Sequence, residues 1–285
     1  MSRRATRSVI MITLNEEDGI GRVLESVAWA DEIVVVDSGS SDRTEEIVRG
    51  YTSHFHVEPF EGFGRQKQRA LDRATREWVL AIDADEVVSP ELRRSIERVL
   101  AEGGGAPGVV GYRVRMATWM HGAWLGTRGW YAEWKLRLFR REGARFVDQL
   151  VHEHVKLDGA VERLDGPLLH LHDRGLSHEL VRMDRYSTLG ARELNARGRG
   201  GGWRDSPFLR GGIHFLQRYV LHNGFLYGRA GLMEAALRGI LGFLKYAKLQ
   251  ELRRWERGDH LPDLPAGGDT ADREATPFQA GREGP

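Results

Sequence analysis

Two aspartates one residue apart, Asp83 and Asp85, close an apolar run that reads WVLAIDADEVV over residues 78–88. Trp78 to Ile82 suits a strand covered on both faces, and carboxylates are almost never buried without a partner. Acids at this spacing suit a divalent cation: if the backbone turns as the strand ends, both side chains can reach one ion. The chain has no cysteine, so any metal must take oxygen or imidazole donors, which favours hard ions such as Mg2+ or Mn2+. Glu86, a third acid in the run, is expected to be structural or to stand behind the aspartates. Two His-x-His pairs, His152 with His154 and His170 with His172, place both members on one strand face. They offer zinc as a minor reading, since most such histidines are ordinary.

Asp37 ends EIVVVD (32–37) and Asn15 follows SVIMITL (8–14), so three apolar runs deliver polar groups at their ends. In open parallel sheets ligands bind beyond the carboxyl ends of the strands. The plain alternative is that each acid caps the next helix or solvates a loop. Glycine-rich phosphate loops are missing: TLNEEDGIGR stands where GxGxxG would belong, and GxxxxGK[ST] does not occur.

The elements that must position these groups alternate regularly. Ile20, Val23, Leu24 and Val27 form a helical stripe, Ser41 or Asp42 can cap a helix through Arg49, and HFHVEPF suggests a third strand. A helix follows over Arg65 to Ala74, and Ser89-Pro90-Glu91 opens another after the fourth strand. This alternation predicts an α/β fold, a Rossmann-like, mostly parallel sheet with helices on both faces. EGGGAPG (102–108) is a turn or linker. YRVRMATWM, WKLRLFR and FVDQLVHEHVKLDG then predict an antiparallel or mixed extension of the sheet. From about 175 the pattern is helical, with a break at RGRGGG (197–202) and helices near 207–226 and 229–256. Residues 261–285 have the composition of a disordered tail.

A chain of 285 residues with 41% hydrophobic and 29% charged residues is globular and needs no disulfides. Its net charge of +1 hides an asymmetry: residues 1–170 carry −3, 171–260 carry +7 and 261–285 carry −3. A basic helical segment suggests an anionic partner, either a membrane surface or nucleic acid. Its arginines are interleaved with core-like aliphatics, not exposed aromatics, so nucleic acid is not expected. SVIMITL is too short for a secretory signal and no apolar run approaches a membrane span. The expectation is a protein of the cytosol, free or lying on the inner face of the cytoplasmic membrane.

The stretches VIMITLNEEDGI, WADEIVVVDSGSSDRTEEIV, FEGFGRQKQRAL and WVLAIDADEVVSPEL resemble, in order, the GT-A members of glycosyltransferase family 2. VHEHV, LLHLHDRGLSHELVRMDRYS, FLYGRAGL and FLKYAKLQE extend the likeness, which is greatest for the lipopolysaccharide-core β-glucosyltransferase branch. It spans nearly all of residues 8–256. The resemblance implies a GT-A catalytic domain over 1–174, a C-terminal helical, membrane-associating region over 175–260 and the tail. It also implies an inverting, metal-dependent transfer from a nucleoside-diphosphate sugar, UDP-linked, to a bacterial envelope glycan or lipid-linked acceptor. Asp37 would then bond the nucleobase, with Asn15 and Glu16 beside the nucleotide. Asp83 would face ribose or metal, Ala84 would admit close backbone, and Asp85 would be the chief ligand of Mg2+ or Mn2+, with His170 the late histidine on the metal. Lys67 and Arg65 are candidates for holding phosphate, against a solvated basic face. The family often has asparagine where Gln68 stands. Glu153 is the candidate general base, since inversion needs a carboxylate to take the acceptor's proton. The rival readings are a polyprenyl-phosphate or rhamnosyl transferase, and a binding or scaffold protein of the same fold.

Overall fold

The computed structural model describes residues 4–126, 133–147, 154–171, 175–198 and 202–258; the expected tail at 261–285 lies outside them. Alternating apolar runs and amphipathic stretches form β1 (Arg7–Thr13), α1 (Ile20–Val27), β2 (Glu32–Asp37), α2 (Thr44–Arg49), β3 (Phe55–Val57), α3 (Phe63–Arg73) and β4 (Trp78–Ala81). Strands β3, β2, β1 and β4 lie side by side in that order, all parallel. Because both faces are covered, successive strand residues feed different cores. Val9, Met11, Ile33 and Val35 pack with Ile20, Val23 and Leu24 of α1, whereas Ile10, Val34 and Val36 pack with Ala70 and Leu71 of α3. Each such aliphatic side chain contributes about 1.5–3 kcal/mol relative to exposure.

The chain continues through β5 (Glu86–Val88), α4 (Pro90–Ala101), β6 (Val109–Met120), β7 (Ala123–Leu125), β8 (Trp134–Arg140), β9 (Arg145–Val147), β10 (His154–Lys156) and β11 (Ala160–Leu171). Ser89 caps α4 as its sequence requires, accepting the Leu92 N–H at 3.2 Å. The sheet extends from β4 through β8, β6 and β11 to β5, with β7 on β6, while β9 and β10 pair apart. This half is mixed: β8 is antiparallel to β4 and β6, and β11 is parallel to β6 but antiparallel to β5.

This order forces the sheet to curl. Five residue steps from Ala81 to Glu86 reach at most about 18 Å, and a turn shortens that. Four strand spacings on a flat sheet would already need about 19 Å. The curl brings β5 and β11 back beside the end of β4, where the two aspartates stand.

The helical part comprises α5 (Gly175–Ala196), α6 (Pro207–Leu216) and α7 (Gly228–Glu256). The helix expected over 207–226 is interrupted by a π-helical turn at Gln217–Leu221 and a 3-10 turn at Gly224–Tyr227. Asn223 between them has φ 56°, a left-handed conformation that asparagine tolerates. Helices α6 and α7 cross closely because Gly211 and Gly239 face each other: a Cβ on either would sit 3.0–3.1 Å from the other's carbonyl oxygen. Ala230 and Tyr227 join this unit to the sheet by packing on Met120 and Leu125. Among the described residues, no helix is long and apolar enough to cross a membrane.

Candidate active site

The loops after β1 and β2 are laced together. Asp37 is buried, and its carboxylate accepts from the Thr13 hydroxyl at 2.7 Å, the Gly39 N–H at 2.8 Å, and the Ser40 N–H and hydroxyl, both at 2.6 Å. These four donors match a carboxylate's accepting capacity. Asp37 therefore organises the turn, and a direct bond to a base would require it to give up one of these partners. Asn15, at φ 54°, donates its N–H to Ser40 Oγ and accepts the Ser41 N–H, both at 2.8 Å. The Glu16 N–H reaches Thr44 Oγ1 at 2.8 Å. Neither expected cap holds the N-cap position of α2, which is Arg43 and has no side-chain cap bond; Asp42, one residue earlier, accepts the Thr44 N–H on its Oδ1 at 3.0 Å.

The strand expected over WVLAID stops at Ala81, and the backbone turns through 82–85. Asp83 takes Lys67 Nζ at 2.7 Å on one oxygen and Arg137 Nη2 at 2.8 Å on the other. The same Arg137 nitrogen bonds Glu86 Oε1 at 2.5 Å, and Glu86 Oε2 accepts the Asp83 N–H at 3.0 Å. Lys67, Arg137 and Glu86 are buried. Burial alone would raise the pKa of Asp83, but Arg137 and Lys67 hold it well below the usual carboxylate range. Glu86 moves the other way: burial and the charge of Asp83 raise its pKa although Arg137 works against this. Its place behind the turn is that expected of a structural residue.

Asp85 has a partner outside this cluster. Its Oδ2 lies 3.1 Å from His170 Nε2, and both side chains are partly exposed. The pairing of β11 with β5 sets His170 opposite Glu86, and the Leu171 N–H bonds the Asp85 carbonyl at 2.9 Å. Burial disfavours a charged His170, yet the hydrogen bond and charge of Asp85 raise its pKa above the ordinary imidazole value. A carboxylate oxygen and an imidazole nitrogen suit Mg2+ or Mn2+. Their separation approximates the edge, about 3.0 Å, of an octahedron with bonds of about 2.1 Å. Two protein ligands fit an ion that keeps water and substrate phosphate as its other partners. Among the described residues no third acid or histidine joins them.

The sequence candidates separate accordingly. Lys67 reaches the acids; Arg65, two residues away on α3, is exposed and pairs with Glu61 at 3.2 Å, which matches the solvated-face alternative. Ala84 is buried in the core beside the turn. Gln68 points to β9, accepting the Phe146 N–H at 2.8 Å, whereas buried Gln66 donates to Ser38 Oγ at 3.0 Å and to the Glu58 carbonyl at 3.1 Å. Glu153, His152 and His172 lie outside the described residues. His154 is exposed on β10, in a different sheet from His170. Sequence reasoning missed Arg137 and Gln66. The only signal for Arg137 was an arginine inside the apolar strand WKLRLFR.

The model of a family described as glycosyl transferase family 2 matches residues 8–155. The chain is 32% identical over 251 residues to the lipopolysaccharide core biosynthesis glycosyltransferase LpsC of Rhizobium meliloti, covering 86% of this chain and 92% of that one. It is 27% identical over 258 residues to an uncharacterized glycosyltransferase of Rickettsia typhi, covering 86% and 87%. A crystal structure of TarS residues 1–349 from S. aureus in complex with UDP-GlcNAc aligns over 89% of this chain and 92% of that one, at 17% identity and a TM-score of 0.44.

Proposed function

This chain belongs to glycosyl transferase family 2, and we propose that it moves a hexose, with inversion, from a UDP-linked donor to a glycan or lipid-linked acceptor of the bacterial envelope. The observation that carries this reading is the Asp85–His170 pair at a strand end, backed by the hydrogen-bonded Asp83–Lys67–Arg137–Glu86 cluster. Asp85, whose carboxylate meets His170, is the acid we assign to the cation. A divalent ion held by Asp85 and His170 would offset the negative charge on the departing diphosphate. Lys67 and Arg137 fix Asp83 at the donor end, and the turn organised by Asp37 shapes the nucleotide side. Glu153 takes the proton of the acceptor hydroxyl while that oxygen bonds the anomeric carbon and the bond to the diphosphate oxygen breaks. The relation to LpsC favours lipopolysaccharide core as the acceptor.

The acceptor's location gives the basic helical part a purpose. The three most exposed large apolar side chains among the described residues, Phe208, Trp203 and Val181, all lie in the region of net charge +7. Basic, apolar-studded helices suit a headgroup layer, so we assign this region to peripheral attachment on an anionic membrane.

A thermal-shift panel of nucleotide sugars with and without Mn2+ tests the donor assignment. One UDP-sugar should raise the melting temperature, and more so with Mn2+, because binding to the native state stabilises it. A panel in which no nucleotide or nucleotide sugar shifts the transition rejects the reading.

A further inference from the structure

A cavity of about 560 Å3 lies between the sheet and the helical part, a volume usual for a small-molecule site. Its floor is one face of the sheet, where Ala117 of β6 and Leu169 of β11 stand side by side in register. Trp124 of β7 forms a wall, steadied by an edge contact with Trp119 at 5.3 Å between ring centroids. Leu226 and Tyr227 close the helical side, and Tyr227 packs on Met120 and Leu125. Every residue that lines the cavity is aliphatic or aromatic. Such a lining favours an apolar guest over water. Successive strand residues look to opposite faces of a sheet, so Leu169 and His170 do not share a side. A molecule held here is anchored, not transformed.

The surface beside the cavity indicates what the guest is. The segment that supplies Leu226 and Tyr227 also exposes Leu216, Val220, Leu221 and Phe225, so an apolar strip runs along the chain to the cavity wall. From Pro207 to Met233 the sequence holds three arginines and no acid. Two of them, Arg210 and Arg218, pair with Asp205 and Glu234 just outside that stretch. The third, Arg229, is exposed two residues past Tyr227. Exposed apolar side chains with basic charge suit an anionic lipid surface. An acyl chain from such a surface matches the cavity in chemistry.

We propose that the cavity binds one acyl chain of an anionic lipid, with the basic surface beside it meeting the headgroup. The inference rests on the membrane-attachment reading of the helical part and adds a defined chain site to it. It is independent of the donor and of any metal.

Calorimetric titration of the full chain with hexanoyl, octanoyl, decanoyl and dodecanoyl lysophosphatidylglycerol, each below its micelle concentration, tests it. Affinity should rise about four-fold for each CH2 added, and glycerol phosphate should not bind. Dodecanoyl lysophosphatidylcholine should bind about five-fold more weakly than its anionic counterpart, as expected for one basic contact. Ala123→Trp fills the cavity from the edge strand β7, and Leu226→Asp charges its exposed wall. Each should flatten the chain-length dependence and leave UDP binding unchanged, with thermal melts checking the fold. Equal affinity along the series, equal affinity for both headgroups, indifference to both variants, or no binding would overturn the site. A concentration-dependent dimer that Leu226→Asp dissolves would also overturn it, by giving this face to a second copy. Chain-length dependence as stated, without vesicle binding, would support the site and count against the attachment reading alone.

Discussion

The Asp85 carboxylate and the His170 ring meet at 3.1 Å although 85 positions separate them in the chain. Asp83, only two residues from Asp85, has different partners, Lys67 and Arg137. Paired acids that looked alike in sequence thus have separate partners, one tied to the cations of α3 and β8 and one to the histidine of β11.

Replacing Asp85 or His170 with alanine should abolish transfer while leaving the fold intact, because both side chains are partly exposed and lie outside the hydrophobic core. Even groups that merely support a metal's ligands cost about 10–100-fold in affinity or activity when lost, so loss of a ligand should exceed that. Steady-state rates across a Mn2+ series and thermal melts check both halves. Chelation of the wild type should reproduce the same loss, reversibly.

Arg137→Met should behave differently. It leaves Glu86 buried without its guanidinium and Asp83 with Lys67 alone, and breaking a buried pair costs about 3–5 kcal/mol. Urea denaturation should show a large fall in midpoint. Wild-type stability would mean that the cluster contributes nothing to the fold.

Glu153→Gln should remove sugar transfer but keep donor binding, since the amide cannot accept the acceptor's proton. Calorimetric titration with UDP and Mn2+ should match the wild type while product formation vanishes. Near-normal turnover would remove Glu153 from the mechanism.

Acid stability should depend on Glu32. Burial works to raise its pKa, but the Ser8 hydroxyl and the Thr75 N–H and hydroxyl, the latter two at 2.8 Å, bring it below the ordinary carboxylate value. The folded value being the lower one, this stabilisation is complete above the unfolded value of about 4.3. It is lost as pH falls through the folded value. Glu32→Gln should lower stability at neutral pH and flatten its decline in acid, as read from denaturation midpoints at several pH values.

Peripheral attachment should appear as co-sedimentation with anionic vesicles and not with neutral ones, falling as salt rises. Phe208→Ser should reduce it without changing donor binding. Equal recovery in the supernatant with both vesicle types would reject the attachment.

The sequence by itself determined the elements of the first hundred residues, because period and capping are local: EIVVVD became β2 at the boundaries its pattern gave, and Ser89 capped α4. It also determined the family, because Asp37, Asp83 and Asp85 sit in ordered motifs. Only the tertiary structure decided which groups those acids meet. Lys67, Arg137 and His170 come from α3, β8 and β11, and no local periodicity encodes how antiparallel strands register or how tightly a sheet curls. Leu169 of β11 and Tyr227 likewise line one pocket, a neighbourhood created by packing between distant segments.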